Sequence, residues 1–380
     1  MKTQLIVLLA IIFVITSCTP NQKNKNVVDA YLSNGTNVPP PIIHVTDLFR
    51  PFVDDDDHFD LAFQYALSYK NLIDLKGLIL DRSQGGNRNP DVLSVAQLNY
   101  ITNKAIPVSV GIQNRIKSNE ELNKTLKMKP ISGVQMVLDI LERSSEPVYI
   151  HITGTCRDIA VAGTMKPELF RKKCKGIYMN MGVSTNDTVE QRRLDYNVQL
   201  DPFAYRLIWD IPCPIFWMPI GDRWEEAWQI RKNIKISQNA TFYRISQRMV
   251  LPYLSEKMKK YFLFMFNKNT TSDWLSYLEE GEIDSTQFAK ICERVDEKWC
   301  TAGFLDAAGK TVLKTGKLAD KSENGIFTFK PIKISCDEQS RTTWQLSDKS
   351  TGRYIFHIND MENYQNAMEA AVKNLIKELP

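Results

Sequence analysis

The sequence has little histidine, little net charge and no internal repeat. Only 4 of its 380 residues are histidine, and 48 basic residues against 44 acidic ones leave a formal charge of +4. This balance of basic and acidic residues excludes a protein that binds nucleic acid mainly by electrostatic attraction. A hydrophobic content of 43% with 10% aromatic residues excludes disorder, collagen and coiled coil. The missing repeats exclude solenoids and propellers, so the composition indicates a packed globular protein.

Metal-binding and redox cysteine motifs are also missing. Beyond Cys18, six cysteines remain, with no CxxC spacing and no histidine pattern beside them, which argues against a zinc site. A core of this size does not need disulfides, so we expect buried thiols. These six residues are Cys156, Cys174, Cys213, Cys292, Cys300 and Cys336.

The N-terminal residues have the organisation of an export signal. Lys2 precedes an apolar run over residues 5–15, which is shorter than the roughly 20 residues of a membrane span. Ile15-Thr16-Ser17-Cys18 resembles a bacterial lipobox, which implies a lipoprotein signal peptide over residues 1–18 and lipid on Cys18. A plain signal peptide or an uncleaved anchor is the alternative. We therefore expect an exported, lipid-anchored protein in the periplasm or at the cell surface.

The rest of the chain divides into a tether and one domain. Residues 19–40 are polar and end in a proline run, which suits a flexible tether. No linker rich in proline, glycine or serine interrupts residues 41–380, so we expect a single domain there.

Short apolar runs alternate with helical periods from residue 42 onward. Near-continuous apolar strands separated by helices predict a doubly wound α/β fold, with a mostly parallel sheet flanked by helices. The predicted strands cover residues 42–46, 75–80, 106–110, 148–152, 176–179 and 215–218. The predicted helices between them cover residues 59–69, 92–101, 133–141, 159–165 and 203–209. The C-terminal part adds helices over 224–298, small strands within 325–357 and a closing helix over 361–379.

Acidic residues follow the first predicted strand. In an open parallel sheet, ligands bind beyond the carboxyl ends of the strands. Asp47 stands at this position, and four consecutive aspartates over residues 54–57 come next. So many carboxylates repel each other unless a cation lies among them or most of them face water. A calcium or magnesium ion with oxygen ligands would use them, and a solvated acidic helix start is the alternative.

Polar residues follow other predicted strands as well. Gly85-Gly86-Asn87 comes after the second strand, and Gly154-Thr155-Cys156-Arg157-Asp158 comes after the fourth. The fifth strand is followed by Gly182, then by Asn186 and by Asp195-Tyr196-Asn197 leading into Asp201-Pro202.

In this order the segments resemble the nucleoside hydrolase family, whose inosine–uridine-preferring members cleave the N-ribosyl bond of nucleosides with a bound calcium. Asp47 followed by Asp56-Asp57 is similar to the family's opening Asp-x-Asp-Pro-Gly-x-Asp-Asp. The other similar segments are Gly86-Asn87, Gly154-Thr155-Cys156-Arg157-Asp158-Ile159-Ala160, Met181-Gly182-Val183, Asp195-Tyr196-Asn197 with Asp201-Pro202, and Leu305-Asp306-Ala307-Ala308. These resemble, in turn, the family's Gly-Asn turn, Gly-Pro-Leu-Thr-Asn-Ile-Ala, Met-Gly-Gly, Glu-Phe-Asn with Asp-Pro, and His-Asp-Pro-Leu-Ala.

The resemblance implies a role for each matching residue. The calcium ligands would be Asp47, Asp57, Asp306 and the main-chain carbonyl of Arg157. Asp47 would also be the base for the calcium-bound water. The residues that hold the ribose hydroxyls would be Asp56, Asn87, Asp195 and Asn197, joined by Asn186. Carboxylates and amides around the sugar would stabilise the positive charge of an oxocarbenium-like transition state.

Two departures from the family pattern leave alternatives open. The interval between Asp47 and Asp56 is longer than in the family, so Asp54, Asp55 or Asp60 could replace one of the chosen aspartates. Leu305 stands where the family carries a histidine thought to protonate a purine leaving group. Among the histidines, His58 beside the acidic run is the candidate replacement, His44 and His151 are expected in the core, and His357 lies in a late strand. A leaving group that departs easily, or one stacked on Trp224 or Trp299, would need no such acid.

Calcium-dependent hydrolysis of the N-ribosyl bond of nucleosides or related ribosides is therefore the first expectation. Leu305 supports one alternative, a catalytically idle lipoprotein that binds a sugar or nucleoside. The altered loop over residues 48–53 supports another, a hydrolase of a different glycoside. The expected partners are a small-molecule riboside and the membrane through Cys18, with no nucleic acid. The sequence leaves open whether the protein is a homo-oligomer.

Overall fold

A nine-stranded, mostly parallel sheet forms the centre of the fold. The computed structural model describes residues 38–82, 88–222, 236–321 and 325–380. The strands in chain order are β1 (Pro41–Thr46), β2 (Phe49–Arg50), β3 (Asp74–Leu80), β4 (Asn89–Pro90), β5 (Val108–Val110), β6 (Val148–Ile152), β7 (Cys174–Asn180), β8 (Ile215–Met218), β9 (Tyr243–Ser246), β10 (Val295–Lys298), β11 (Lys310–Val312), β12 (Leu318–Asp320), β13 (Phe327–Cys336), β14 (Thr342–Leu346) and β15 (Arg353–Ile358). The central sheet has the order β14-β13-β15-β8-β7-β6-β1-β3-β5.

Helices connect the strands and cover the faces of the sheet. They are α1 (Asp55–Tyr69), α2 (Val92–Thr102), α3 (Asn119–Lys127), α4 (Ser132–Arg143), α5 (Arg157–Met165), α6 (Pro167–Lys173), α7 (Tyr196–Leu200), α8 (Pro202–Ile208), α9 (Gln247–Val250), α10 (Glu256–Phe266), α11 (Trp274–Glu280), α12 (Ser285–Cys292), α13 (Thr301–Ala307) and α14 (Tyr364–Ile376). The predicted doubly wound sheet is confirmed, and so are the helical and small β additions in the C-terminal part.

The strand order reverses between β1 and β6. From β1 the chain moves outward to β3 and β5, then crosses to β6 and moves outward the other way through β7 and β8. β1 and β6 are parallel neighbours, with His44 opposite His151. Ligands of doubly wound sheets bind beyond the carboxyl ends of the strands at such a reversal. The residues that follow β1 and β6 are therefore positioned for a site.

The apolar runs of the strands supply two core layers. All six residues of β1 are buried, and alternate residues of a strand point to opposite faces of its sheet. Ile42 lies in one apolar cluster with Phe63 of α1, whereas Ile43 and Val45 lie in the other with Val137 of α4. Burial of both faces explains why this strand has no polar–apolar alternation in its sequence.

The first helix begins four residues earlier than the sequence predicted. Asp54 is its N-cap and accepts a hydrogen bond from the backbone N–H of Asp56, and three further aspartates occupy the first turn. Side-chain capping and the helix dipole both favour carboxylates at this position. The acidic run is thus part of α1, and its side chains have fixed directions.

The N-terminal predictions lie outside the described residues. The signal peptide, Cys18 and most of the tether fall on residues 1–37, whereas Val38–Pro380 form one compact unit. Within the described part, the six cysteines are free thiols and only Cys336 is not fully buried. In the same part of the chain, none of the helices combines the length and the apolar character needed to cross a bilayer.

Candidate functional site

A buried acidic cluster lies where the strand order reverses. It consists of aspartates that follow β1 and β3 and of aspartates in the first two turns of α1. These are Asp47, Asp55, Asp56, Asp57, Asp60 and Asp81. All of them except the half-buried Asp57 are buried, so the solvated helix start that the sequence allowed is excluded. Carboxylates packed this closely need protons or cations to coexist.

One part of the cluster already has a cation from the protein. The Lys298 ammonium lies 2.8 Å from Asp55 Oδ2 and 3.9 Å from Asp56 Oδ1, and the Lys298 side chain is only 1% exposed. Arg294 reaches the other oxygen of Asp55 at 3.4 Å. These neighbouring carboxylates raise the pKa of Lys298, although burial opposes them. Lys298 therefore remains an ammonium, and Asp55 is committed to an ion pair.

The part formed by Asp47 and Asp57 has no comparable ion pair among the described residues. The Asp57 carboxyl hydrogen-bonds that of Asp47, and the Thr46 hydroxyl donates to Asp57 Oδ1 at 3.2 Å. Burial raises the pKa of Asp47 to about 7. Burial, together with the charge of Asp47, also raises the pKa of Asp57. Two carboxyl groups that share a hydrogen bond share a proton, and a divalent cation could take the place of that proton.

Asp81, which the sequence analysis missed, completes this part of the cluster. It directly follows β3, and its Oδ2 accepts a hydrogen bond from the Thr155 N–H at 2.6 Å. Its Oδ1 is buried without a hydrogen-bond partner in the described part of the chain. Burial and the charge of Asp47 raise its pKa. Asp81 directly follows the predicted strand over residues 75–80, so the rule that polar residues follow strands identifies it from the sequence.

Gly154 permits the close approach of these groups. A Cβ at this position would lie 2.4 Å from Asp81 Oδ2 and 2.7 Å from the Asp47 nitrogen. Such distances are far below van der Waals contact, so any side chain here would displace both aspartates. The glycine after β6 therefore brings the loops after β1, β3 and β6 together.

The predicted sugar-binding segment lies at the adjacent strand ends. The Asn197 Nδ2 donates to the carbonyls of Thr153 and Asn180 at 3.0 and 2.9 Å, which join the ends of β6 and β7. Asp195 caps α7 and accepts from the backbone N–H groups of Gly182 and Asn197. Burial raises its pKa to about 6, although these bonds favour the carboxylate. The structure thus fixes both residues close to the acidic cluster.

Tyr196 lies between these two fixed residues, and its side chain is 53% exposed. Burial raises the pKa of its phenol, the charge of Asp47 raises it further, and Arg88 opposes the shift. The phenol is therefore within electrostatic range of the acidic cluster. The region between α7 and the cluster is called the crevice. Tyr196 belongs to the Asp195-Tyr196-Asn197 motif of the sequence but had no predicted role.

The side chains of three predicted residues bond to other parts of the protein. Asp306 Oδ2 accepts hydrogen bonds from the Tyr178 hydroxyl at 2.6 Å and from Lys321 at 2.8 Å. Its charge raises the pKa of Tyr149, the second residue of β6. Asp306 therefore lies beside the amino half of the sheet, whereas Asp47 follows the carboxyl end of β1. The structure therefore does not bring Asp306 to the acidic cluster, and Leu305 is a buried core residue.

The reason for this separation is the position of α13. The helix begins at Thr301, and the residue before it, Cys300, is the one that reaches the cluster. The closest potential ligand atoms of Asp56, Asp60 and Cys300 lie within 4.8 Å of one another. A shift of six residues along an α-helix moves a side chain by about 9 Å, which separates Asp306 from the cluster.

Arg157 and Asn186 are also engaged elsewhere. Arg157 is the first residue of α5, so the predicted ligand, its main-chain carbonyl, lies in the first turn of that helix. Its buried guanidinium pairs with Asp201 at 2.7 Å. Asn186 accepts from the Trp344 N–H at 2.7 Å and donates to the Trp344 carbonyl at 2.9 Å. Both side chains therefore bond to other parts of the protein, and the roles predicted for the Arg157 carbonyl and for Asn186 stay predictions. Asn87 and Trp224 lie outside the described residues.

The loop after β7 is bound to the antiparallel strand β14. Besides Asn186, the Gln191 side chain donates to the Thr342 carbonyl and accepts from the Thr342 N–H, at 2.6 and 2.8 Å. The Trp344 indole donates to the Ser184 carbonyl at 2.6 Å. This loop leads into α7, so β14 supports the segment that carries Tyr196.

The histidines do not supply an acid to the crevice. His58 pairs with Asp91 at 3.1 Å. His44 and His151 are buried against Phe304, as expected of core residues, although neither ring nitrogen of His44 has a partner in the described part of the chain. Burial lowers the pKa of His44 to about 3. His357 lies on β15, four strands or about 19 Å from β1.

Solved structures of other proteins share this architecture. A plant nucleoside hydrolase, the PpNRh1 enzyme, is similar with a TM-score of 0.53 and 15% identity, over 90% of this chain and 99% of that chain. A purine-preferring ribonucleoside hydrolase from Gardnerella vaginalis has a TM-score of 0.50 and 15% identity, over 89% and 99%. The type III effector protein XopQ, solved with adenosine diphosphate ribose, has a TM-score of 0.52 and 12% identity, over 94% and 99%.

These similarities establish the fold of the chain. At such low identity the likeness concerns architecture, and it shows that the chain has a nucleoside hydrolase-like fold, as the sequence predicted. No protein-family model matches the sequence, and no curated protein matches it either.

Proposed function

We propose that this chain hydrolyses the N-glycosyl bond of nucleosides or related ribosides, with a calcium ion held by Asp47 and Asp57. The observation that carries the proposal is the buried hydrogen-bonded pair of these two carboxyls. It lies at the strand-order reversal of a sheet whose architecture resembles that of two nucleoside hydrolases. Asp195 and Asn197 lie at the adjacent strand ends and are the candidates for holding the sugar, although the Asp195 carboxylate and the Asn197 amide nitrogen already bond to the backbone.

The residues present fit a hard divalent cation. Asp47 and Asp57 offer carboxylate oxygens side by side. Asp81, whose Oδ1 has no hydrogen-bond partner among the described residues, lies with Asp47 against Gly154 and would have to move closer to complete a set of three. Oxygen ligands of this kind suit calcium, which also tolerates irregular geometry. When bound, the cation would position a water molecule and make it a better nucleophile.

The chain's own residues would carry the rest of the reaction. Asp47, with its pKa raised by burial to about 7, suits a general base that works near neutral pH. The carboxylates of the cluster would stabilise the positive charge that develops on the sugar as the C1′–N bond breaks. Asn197 is anchored at the ends of β6 and β7, so it would hold the sugar in a fixed orientation.

The test is release of reducing sugar from a panel of purine and pyrimidine nucleosides and simple ribosides, with calcium and with a chelator. Wild-type protein should need calcium, and Asp57→Asn should lower kcat/KM by about 10²-fold or more. Asp348→Asn, at an exposed position far along the chain, is the matched control and should keep full activity. Undiminished activity of Asp57→Asn would exclude the proposed site.

A second candidate function is binding without catalysis. It is favoured by the four histidines, none of which supplies an acid to the crevice. The structure of XopQ contains adenosine diphosphate ribose, so this ligand belongs in the test beside the nucleosides. Calorimetric binding of a ribosyl ligand without formation of free sugar would favour this candidate over hydrolysis.

We further propose that Cys18 carries lipid and anchors the domain to a bacterial membrane. The support is the lipobox-like sequence before Cys18 and the polar segment that follows it. Cys18→Ala in the full-length chain should abolish lipid labelling and release the protein from the membrane fraction. A Cys213→Ala variant, which removes a buried thiol instead, should still be labelled.

A further inference from the structure

Cleavage of an N-glycosyl bond leaves an electron pair on the departing nitrogen, and a poor leaving group needs a proton at that moment. The crevice therefore requires a donor that faces the departing base. The acidic cluster lies on the sugar side and must accept a proton from water, so it does not meet this need. The histidines lie elsewhere.

Tyr196 has the position that such a donor requires. Its neighbours Asp195 and Asn197 are held by hydrogen bonds from Gly182 and to the carbonyls of Thr153 and Asn180. The backbone of Tyr196 is therefore fixed at the ends of β6 and β7, while about half of its side chain remains open to solvent. An exposed phenol on a fixed backbone is accessible to a ligand that enters the crevice.

The charges around Tyr196 also suit proton donation. The phenol is within electrostatic range of Asp47, Asp57 and Asp81 and of the Arg88 cation. The carboxylates and burial together raise the pKa of the phenol. Tyr196 therefore keeps its proton at neutral pH, as a general acid must before the reaction.

We propose that Tyr196 is the general acid that protonates the leaving base when the C1′–N bond breaks, an inference that rests on the proposed hydrolase function. The electron pair of that bond goes to the base nitrogen, which takes the phenol proton and leaves a phenolate. Water forms the new C1′–O bond and gives its proton to Asp47. Solvent then carries that proton from Asp47 to the phenolate, so riboside and water become ribose and neutral base.

The experiment compares two kinds of leaving group. Tyr196→Phe removes only the hydroxyl and retains the ring, and Tyr253→Phe is the matched control because that tyrosine is exposed to a similar extent, 58%. Inosine requires a proton on its departing base, whereas p-nitrophenyl riboside releases a stable phenolate without one. Tyr196→Phe should lower kcat for inosine by about 10²-fold or more with little change in KM. The same variant should cleave p-nitrophenyl riboside within about threefold of wild type.

Each contrary outcome has a distinct meaning. Equal loss with both substrates, or loss confined to KM, would assign Tyr196 a binding or structural role and overturn the proposal. Unchanged cleavage of inosine would overturn it as well. If wild type cleaves neither substrate, the proposed hydrolase function itself fails and the inference fails with it. If it cleaves p-nitrophenyl riboside alone, no acid acts in the crevice and only the inference is overturned.

Discussion

The Lys298 ammonium lies 2.8 Å from the Asp55 carboxylate in a buried position, where the protein supplies its own counter-ion to part of the acidic cluster. The second oxygen of Asp55 is met by Arg294. Asp47, Asp57, Asp60 and Asp81 have no such ion pair in the described part of the chain, and burial raises the pKa of each. The arrangement divides one acidic cluster into a structural part and a part open to a ligand.

Loss of Lys298 should destabilise the protein strongly. Lys298→Met keeps the length of the side chain but leaves the buried Asp55 without its nearest cation, which typically costs about 3–5 kcal/mol. Lys310→Met, which breaks an ion pair with the exposed Asp320, should leave the free energy of unfolding nearly unchanged, because solvent screens that pair. Denaturant unfolding measures both values. Equal stability of the two variants would contradict the structural role of Lys298.

The metal-free protein should become more stable as the pH falls from about 8 to about 6.5. Burial raises the pKa of Asp47 and of Asp60 to about 7, so in this range the folded state takes up protons that the unfolded state does not hold. The full stabilisation is present below the pKa of these carboxyls in the unfolded state. It is lost as the pH rises through their pKa in the folded state. At lower pH the effect is opposed, because burial lowers the pKa of His44 and His151 and only the unfolded state protonates them. Thermal unfolding in a chelator measures this slope. Calcium should reduce the slope, and so should Asp47→Asn, whereas a slope unchanged by both would exclude Asp47 as its source.

Gly154→Ala should abolish calcium binding. The added Cβ would lie 2.4 Å from Asp81 Oδ2 and 2.7 Å from the Asp47 nitrogen, so both groups must move. Gly309→Ala is the control, because it adds a methyl group in open space at a positive φ and so costs about 1 kcal/mol of backbone strain. Calorimetric titration should find calcium affinity lost in the first variant and kept in the second. Full affinity in Gly154→Ala would place the cation elsewhere.

Asp306→Asn should leave calcium affinity unchanged while it lowers stability. The carboxylate accepts bonds from Tyr178 and Lys321, and loss of its charge weakens both, at about 1–3 kcal/mol. Calcium titration and denaturant unfolding of one sample separate the two effects. Loss of calcium binding without loss of stability would restore Asp306 as a ligand.

The sheet was predictable because its strands are short apolar runs. Residues 148–152 and 215–218 match β6 and β8 in full, since both ends of each run are marked by a change to polar or turn residues. The start of α1 was misjudged because an aspartate run is typical of loops until one aspartate is recognised as a cap. Apolar periodicity was therefore enough to predict the core strands. The start of α1, by contrast, depends on the Asp54 cap.

The site was only partly predictable. The structure brings Asp47 and Asp57 together, as the resemblance to the nucleoside hydrolase motif implied. It does not bring Asp306 to them, because resemblance to a short motif does not show where the helix that carries it begins. Asn186 has the predicted side-chain chemistry, but its partner Trp344 lies 158 residues away in sequence. The sequence around Asn186 gives no indication of such a distant hydrogen-bond partner.

Strand β14, near the C-terminus, supports the loop over residues 184–191 through hydrogen bonds. The segment that carries Tyr196 therefore depends on a distant part of the chain. A fragment that stops before β13 would retain every aspartate of the cluster, yet the segment that leads into Tyr196 would lose its scaffold. Shortening from the C-terminus removes the buried residues of α14 before it reaches β14, so we expect it to disrupt the core and the support of Tyr196 together.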